Sequence, residues 1–347
     1  MIDLLASSEQ QQIIDSVVGY LSREFPVERL RPNAAGKRVR ERDRWGDLAA
    51  QGWFGLGVSA EAGGAGFTAV EEMLAYREFG RFLVTPNILA AALAAHLASA
   101  AGDLELLGAL VNGERLVAMA SPAGRLSIGP VVEGELHLMD GEPGDLLLVW
   151  DEGGMALLER ARLADIRAVA SLDGSVRLER GSAREVPARL FLSFADAPLR
   201  RRANLLLAAG LVGMAEGARD LAVAYAGVRS QFGKLIGSFQ AVAHHCADME
   251  VRARAARAQT AFAAVAERDL RPHAAFQISA AAIVASDAAL QNATLAIRVH
   301  GAMGYTAECD VHHYLKRAHV FDRLNGGVRA RQAELIAQPA PDLSAAL

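Results

Sequence analysis

The stretch Arg229-Ser230-Gln231-Phe232-Gly233-Lys234-Leu235-Ile236-Gly237-Ser238-Phe239-Gln240 gathers residue types that suit an organic phosphate. Arg229 closes one helix-period run, and Gly233 and Gly237 break the chain before the next. A guanidinium fork beside the free amides of a helix start is a place for a phosphodianion or pyrophosphate. Phe232 adds a flat apolar face, and Gln240 an amide for a ring edge. The same residues also suit a plain helix-turn-helix corner with a surface arginine. Further along runs Val299-His300-Gly301-Ala302-Met303-Gly304-Tyr305-Thr306-Ala307-Glu308. Gly301 and Gly304 let main chain approach a ligand with no Cβ in the way. Glu308 reads as a helix N-terminal carboxylate.

Other chemistries leave no trace. No phosphate loop of the G-x-x-x-x-G-K-[ST] kind occurs, and no G-x-G-x-x-G follows a strand pattern. The pairs His244-His245 and His312-His313 lack the spacing and third ligand of a metal site, so no metal is expected. Cys246 and Cys309 are the only two cysteines, too few for a disulfide framework, and a reducing cytoplasm fits. With 36 Lys plus Arg against 40 Asp plus Glu, the formal charge is −4, which argues against nucleic acid as a partner. Met1-Ile2-Asp3-Leu4 has neither the basic nor the apolar region of a signal peptide. The uncharged run 82–102 is Ala-rich and holds Pro86, Asn87 and His96, so it reads as a buried helix and no membrane partner is expected.

These residues need elements to hold them. Helical period marks 7–24, 40–52, 69–81, 87–101 and 103–112, punctuated by Pro26, Pro32, Gly36, Pro86 and Gly102. From 115 to 197 short apolar runs alternate with turn signals such as Gly129-Pro130 and Asp173-Gly174, the pattern of a β-domain. Helical period returns over 200–229, 236–268, 273–299 and 309–323, and helices of that length pack as a bundle. The expectation is an α+β, mainly α fold: a helical domain over 1–113, a small β-domain over 114–197 and a four-helix bundle over 198–347. Leu205, Leu206, Leu207, Leu211, Val223 and Ile283 are its expected core. Gly210, Gly213 and Gly217 share one helix face and predict close helix packing.

A third segment completes a pattern: Gln51-Gly52-Trp53-Phe54-Gly55-Leu56-Gly57-Val58-Ser59-Ala60-Glu61-Ala62-Gly63-Gly64-Ala65-Gly66. Together, in order and spacing, the three segments resemble the acyl-CoA dehydrogenase family over nearly the whole chain. The resemblance implies FAD as cofactor and an acyl-CoA as substrate. It implies that Arg229, Phe232 and Gln240 hold the adenosine diphosphate half of a neighbouring subunit's FAD, with Gly301 and Gly304 at the pyrophosphate. Arg298 stands where the family usually has Gln, and a cation there still faces a diphosphate.

The resemblance also exposes losses. The family's Ala-x-Thr-Glu-Pro-x-x-Gly-Ser stretch reads Ala118-Met119-Ala120-Ser121-Pro122-Ala123-Gly124-Arg125, and a usual Trp is replaced within His137-Leu138-Met139. The usual catalytic carboxylate falls at Asn325 and the alternative position at Ala203, neither able to take a proton. Asp322, one helical turn before Asn325, is the one nearby substitute. Read without the family, Asn325-Gly326-Gly327 is a helix stop. The expected function is FAD-dependent α,β-dehydrogenation of an acyl-CoA, as the subunit without the base in an α2β2 tetramer with a longer homologue. A homo-oligomeric dehydrogenase with a non-standard base, or a non-catalytic scaffold of the same fold, are the alternatives.

Overall fold

The computed structural model describes residues 4–31, 40–195, 198–324 and 326–339. Helices come first: α1 (Ser8–Glu24), α2 (Trp45–Ala50), α3 (Ala69–Arg81), α4 (Pro86–Ala101) and α5 (Leu104–Val111). Seven strands follow: β1 (Val117–Ser127), β2 (Val131–Met139), β3 (Leu146–Trp150), β4 (Gly154–Glu159), β5 (Ala164–Val169), β6 (Leu178–Pro187) and β7 (Leu190–Ser193). Then come α6 (Leu199–Val228), the hairpin β8 (Ser230–Gln231) and β9 (Lys234–Leu235), α7 (Gln240–Arg268), α8 (Ala274–His300), α9 (Val311–Leu324) and α10 (Gly327–Ala337). By contacts the chain divides into two compact units. The first gathers the described residues of Met1–Arg38, Ala69–Val84 and Asn204–Leu347, and the second those of Val39–Thr68 and Thr85–Ala203.

In the second unit the sheet runs β5-β6-β2-β1-β3-β4-β7. Ala118, Ala120, Leu136, Leu138, Leu147, Val149, Ala156 and Leu158 alternate along four strands and form the core on one face, as a two-residue period requires. On the opposite face of β1, β3 and β4, Met119, Leu146, Leu148, Met155 and Leu157 are buried too. α4 packs against β1, β3 and β7, which explains why Leu146 to Trp150 reads as an unbroken apolar run. The buried Asn87 of α4 accepts a hydrogen bond from the Met119 amide at 2.8 Å, so the run expected to be a buried helix is tied to β1.

In the first unit α3 lies on α6 through bare backbone. A Cβ on Gly80 would collide with the Gly210 carbonyl, and one on Gly213 with the Arg77 carbonyl. A Cβ on Gly217 would meet the Tyr314 ring of α9 at 2.5 Å, so the glycine face is a packing face. Asn292 of α8 is fully buried and donates to the carbonyls of Ala215 on α6 at 3.2 Å and Met249 on α7 at 2.9 Å. It thereby pins three helices in register. Those carbonyls keep their helical partners, so Asn292→Ala strands no acceptor; with the bond that Arg252 Nη1 donates to Asn292 Oδ1 at 3.3 Å, three lost bonds should cost about 1.5–4.5 kcal/mol. A lower urea midpoint with an unchanged slope checks this.

Two buried arginines close the end of α3. Arg317 of α9 is 1 % exposed and donates to the carbonyls of Leu83 and Val84 at 2.6 and 2.7 Å. Arg29 donates to Phe82 and Leu83 at 3.0 and 3.1 Å.

Leu205, Leu206, Leu207 and Leu211 are fully buried, as expected. Two core assignments fail. Val223 is 49 % exposed because the last turns of α6 run towards an open end, and Ile283 is only half-buried. α9 stops at Leu324 and α10 follows, a helix the sequence did not announce. Gly326 and Gly327 make the break with φ of +81° and +80°. The stretch Ala274–Tyr305 is apolar and long enough to cross a membrane by length and composition, and 56 % of its apolar window is buried inside the protein.

Candidate functional site

The hairpin after α6 is built on two left-handed residues. Phe232 has φ of +52° and Gly233 +79°, the pair a tight two-residue hairpin demands. Glycine adopts this freely, whereas phenylalanine is strained there by about 1–2 kcal/mol. Phe232 is nonetheless 93 % exposed. Its ring meets Phe239 edge-on at 6.2 Å, and Lys234 Nζ sits over Phe239 at 4.3 Å. The Ile236 amide donates to the Arg229 carbonyl at 2.8 Å and shuts the loop. A Cβ on Gly237 would meet the Ala226 carbonyl at 2.9 Å, so that glycine serves close packing. Gln240 is the first residue of α7, with an exposed side chain.

The second loop lies at the same end of the unit. His300, at the end of α8, stacks on Tyr225 of α6 at 4.4 Å, joining the ends of the two helices. His300 Nδ1 and the Ala296 carbonyl are 2.7 Å apart. A carbonyl only accepts, so Nδ1 carries the proton and fixes the ring. After it Gly301 turns with φ of +61°, exposed and with nothing within 4 Å of where a Cβ would stand. Gly304 differs: it is buried, and its absent Cβ would meet the Ile297 carbonyl at 2.7 Å. Its bare Cα serves the chain's own packing and sets the shape of the loop.

The structure thus brings Arg229, Phe232, Gln240, Arg298, Gly301 and Gly304 to one end of the helical unit. Arg229 and Arg298 are exposed, and neither has an ion-pair partner among the described residues. Around them Val228, Leu235, Met303 and Tyr305 are exposed at 76, 44, 49 and 78 %. Two unopposed cations, an open glycine turn and an uncovered aromatic face fit an adenosine diphosphate group. Tyr225 and His300 were not legible as site residues, since nothing in the sequence links positions 75 apart.

The base positions are less well provided. Ala203 is fully buried and holds no acceptor, and Asn325 lies outside the described residues. Asp322 is half-buried, and its Oδ1 is shut off from solvent with no hydrogen-bond partner. No cluster of three potential metal ligands occurs among the described residues. Cys246 and Cys309 are free thiols.

Comparisons with known proteins settle the lineage. Residues 7–114 match the acyl-CoA dehydrogenase N-terminal domain and residues 201–340 its C-terminal domain. Acyl-CoA dehydrogenase IpdE2 of Mycobacterium tuberculosis is 31 % identical over 316 residues, 90 % of this chain and 91 % of that one. The chain belongs to the acyl-CoA dehydrogenase family. Acyl-CoA dehydrogenase FadE34 of the same organism is 36 % identical over 289 residues, which are 81 % of this chain but only 40 % of FadE34. The fold matches butyryl-CoA dehydrogenase of Megasphaera elsdenii with a TM-score of 0.81 at 20 % identity, covering 96 and 98 % of the two chains. It matches a chain of the ChsE4–ChsE5 complex of Mycobacterium tuberculosis equally well, at 0.81 and 22 % identity, covering 98 and 100 % of the two chains. An acyl-CoA dehydrogenase fold, in a family that is generally FAD-dependent, is therefore the frame for this site.

Proposed function

We propose that this chain is the subunit without a catalytic base in an FAD-dependent acyl-CoA dehydrogenase, an α2β2 tetramer with a longer homologue, working in the cytoplasm. The observation that carries the reading is Phe232: a strained, 93 % exposed aromatic flanked by unopposed arginines is costly unless another chain and its ligand cover it. FAD, when bound, supplies a hydride acceptor for the β-hydrogen of the acyl thioester. Arg229 and Arg298 would counter its diphosphate, Gly301 would admit it close to main chain, and Phe232 and Gln240 would face its ring edge. Gly304 would keep the loop in shape.

This chain does not supply the complementary step. Removing the α-proton needs a carboxylate, and Ala203 and Asn325 offer a methyl and an amide. More than half of FadE34 lies outside the match, room for a second body of this size on one polypeptide, which supports a two-part assembly. One solved relative is described as a steroid acyl-CoA dehydrogenase with two named components, and on that likeness the acyl group is bulky and steroid-like.

Purified alone, the chain should be nearly colourless and fail to oxidise acyl-CoA thioesters. Co-expressed with a longer relative, it should give a yellow, active complex with one flavin per pair of unlike chains. Stoichiometric FAD and acyl-CoA oxidation by the lone chain would falsify the reading. The orphaned Oδ1 of Asp322 would then favour a homo-oligomeric enzyme with Asp322 as base, abolished by Asp322→Asn. Inactivity of both preparations points instead to a scaffold.

A further inference from the structure

The solvent side of α9 carries one sign of charge. At about 100° per residue, His312, Lys316, His319 and Arg323 fall within about 60° of the helix circumference. Tyr314, Arg317, Ala318 and Phe321 are buried on the other side. His319 and Arg323 are exposed, and His312 and Lys316 are half-buried. The row is about 16 Å long at the usual helical rise. Asp322, the one acid in α9, stands about 60° outside this arc. Arg329, exposed in the first turn of α10, adds a cation soon after the break at Gly326 and Gly327.

Nothing in the first unit answers these cations. Lys316, Arg323 and Arg329 have no ion-pair partner among the described residues. Elsewhere exposed arginines are answered three or four residues away: Arg44 by Asp47 at 3.4 Å, Arg162 by Glu159 at 3.5 Å and Arg254 by Glu250. The positions three and four residues from Lys316 and Arg323 hold His312, His313, His319, Val320, Gly326 and Gly327. No carboxylate on α9 therefore supports either cation in the way helices usually do, although the chain has 40 Asp plus Glu. A local rule broken without compensation inside the chain points to a use outside it.

We infer that the α9 row docks an acidic polypeptide segment, a helix with carboxylates at the same spacing. A guanidinium fork, an ammonium and imidazole N–H groups take carboxylates as charge-assisted hydrogen bonds, and matched charge fixes the register of docking. A short segment feels only the charges within about 8–10 Å of it, so the row dominates what it meets. A duplex or a membrane spreads over much more of a chain whose formal charge is −4. Leu315 and Val320 beside the row are half-buried, so no exposed apolar side chain flanks it to enter a bilayer. The surface lies wholly within the first unit and does not depend on the cofactor reading.

The test titrates the full chain into a fluorescein-labelled, alanine-based helical peptide with four glutamates at i, i+4, i+7 and i+11, read by fluorescence anisotropy. Binding should saturate and weaken steadily as salt rises. A peptide of the same composition with its glutamates spread around the helix should bind at least fivefold more weakly. Arg323→Glu should weaken binding at least tenfold. Arg323→Gln, which loses the charge but leaves a good helix former, should fall between, with the circular dichroism of the native chain. Arg162→Glu makes the same change in net charge in the second unit and should leave binding within twofold. No saturable binding, equal binding of the two peptides, or equal losses in Arg323→Glu and Arg162→Glu would overturn the surface. Tighter binding to phosphatidylserine vesicles or to a DNA duplex, lost in Arg323→Glu, would overturn the acidic polypeptide as its occupant.

Discussion

Gly213→Ala is expected to destabilise the helical unit by about 1–3 kcal/mol, the usual range for forcing extra atoms into a packed contact. Intrinsic propensity points the other way, since alanine is preferred to glycine inside a helix by up to about 1 kcal/mol. Contact decides the sign. The new Cβ would run into the Arg77 carbonyl, and both groups belong to helix backbone, so no rotamer relieves it. α3 and α6 must part, and the Gly80–Gly210 approach next to it parts with them. Gly19→Ala is the matched comparison: it lies mid-helix in α1, exposed, with nothing within 4 Å of a Cβ. That change should stabilise by about 0.5–1 kcal/mol. Urea unfolding followed by far-ultraviolet circular dichroism reads both, and Gly213→Ala matching the gain of Gly19→Ala would refute the packing argument.

Arg229→Ala should weaken FAD retention by the assembled complex about ten- to a hundredfold, the loss of a charge-assisted contact of about 1.5–3 kcal/mol. The loss should be larger at low salt, because an exposed guanidinium is screened within about 8–10 Å at physiological ionic strength. Arg229→Lys keeps the charge and loses the fork, so it should fall between. Equilibrium dialysis of flavin against the two-chain complex gives the ratio directly. Retention equal to that of the unmodified complex would show Arg229 to be a solvated corner residue.

Much of this molecule was readable in advance, for reasons that differ by element. The three-zone order follows from a change of pattern, from helical period to short apolar runs between turn signals such as Gly129-Pro130 and Asp173-Gly174, and back. The face holding Gly210, Gly213 and Gly217 announced close packing, because three small residues at helical spacing have few other uses. Its partners, Gly80, Arg77 and Tyr314, were not legible, since contact across more than 90 residues leaves no local period. Val223 looked like core because its spacing matches the buried face of α6, but packing ends before the helix does. Arg229 and Phe232 stood out by type, yet exposure and the positive φ of Phe232 needed the hairpin itself.

The arginine closure of α3 bears on how the chain is made. The carbonyl of Val84 receives its buried donor from Arg317, and that of Leu83 its second beside Arg29, more than 230 residues later in synthesis. Until α9 leaves the ribosome, that end of α3 lacks this closure, and the glycine face of α6 lacks the Tyr314 ring. All of the second unit, in contrast, precedes residue 204. Domains fold as units while the chain emerges, so the sheet and its helices are free to settle early while α1 and α3 wait for their partners. A ribosome stalled near residue 300 would therefore hold one finished body and one whose first helices still lack their C-terminal clamp.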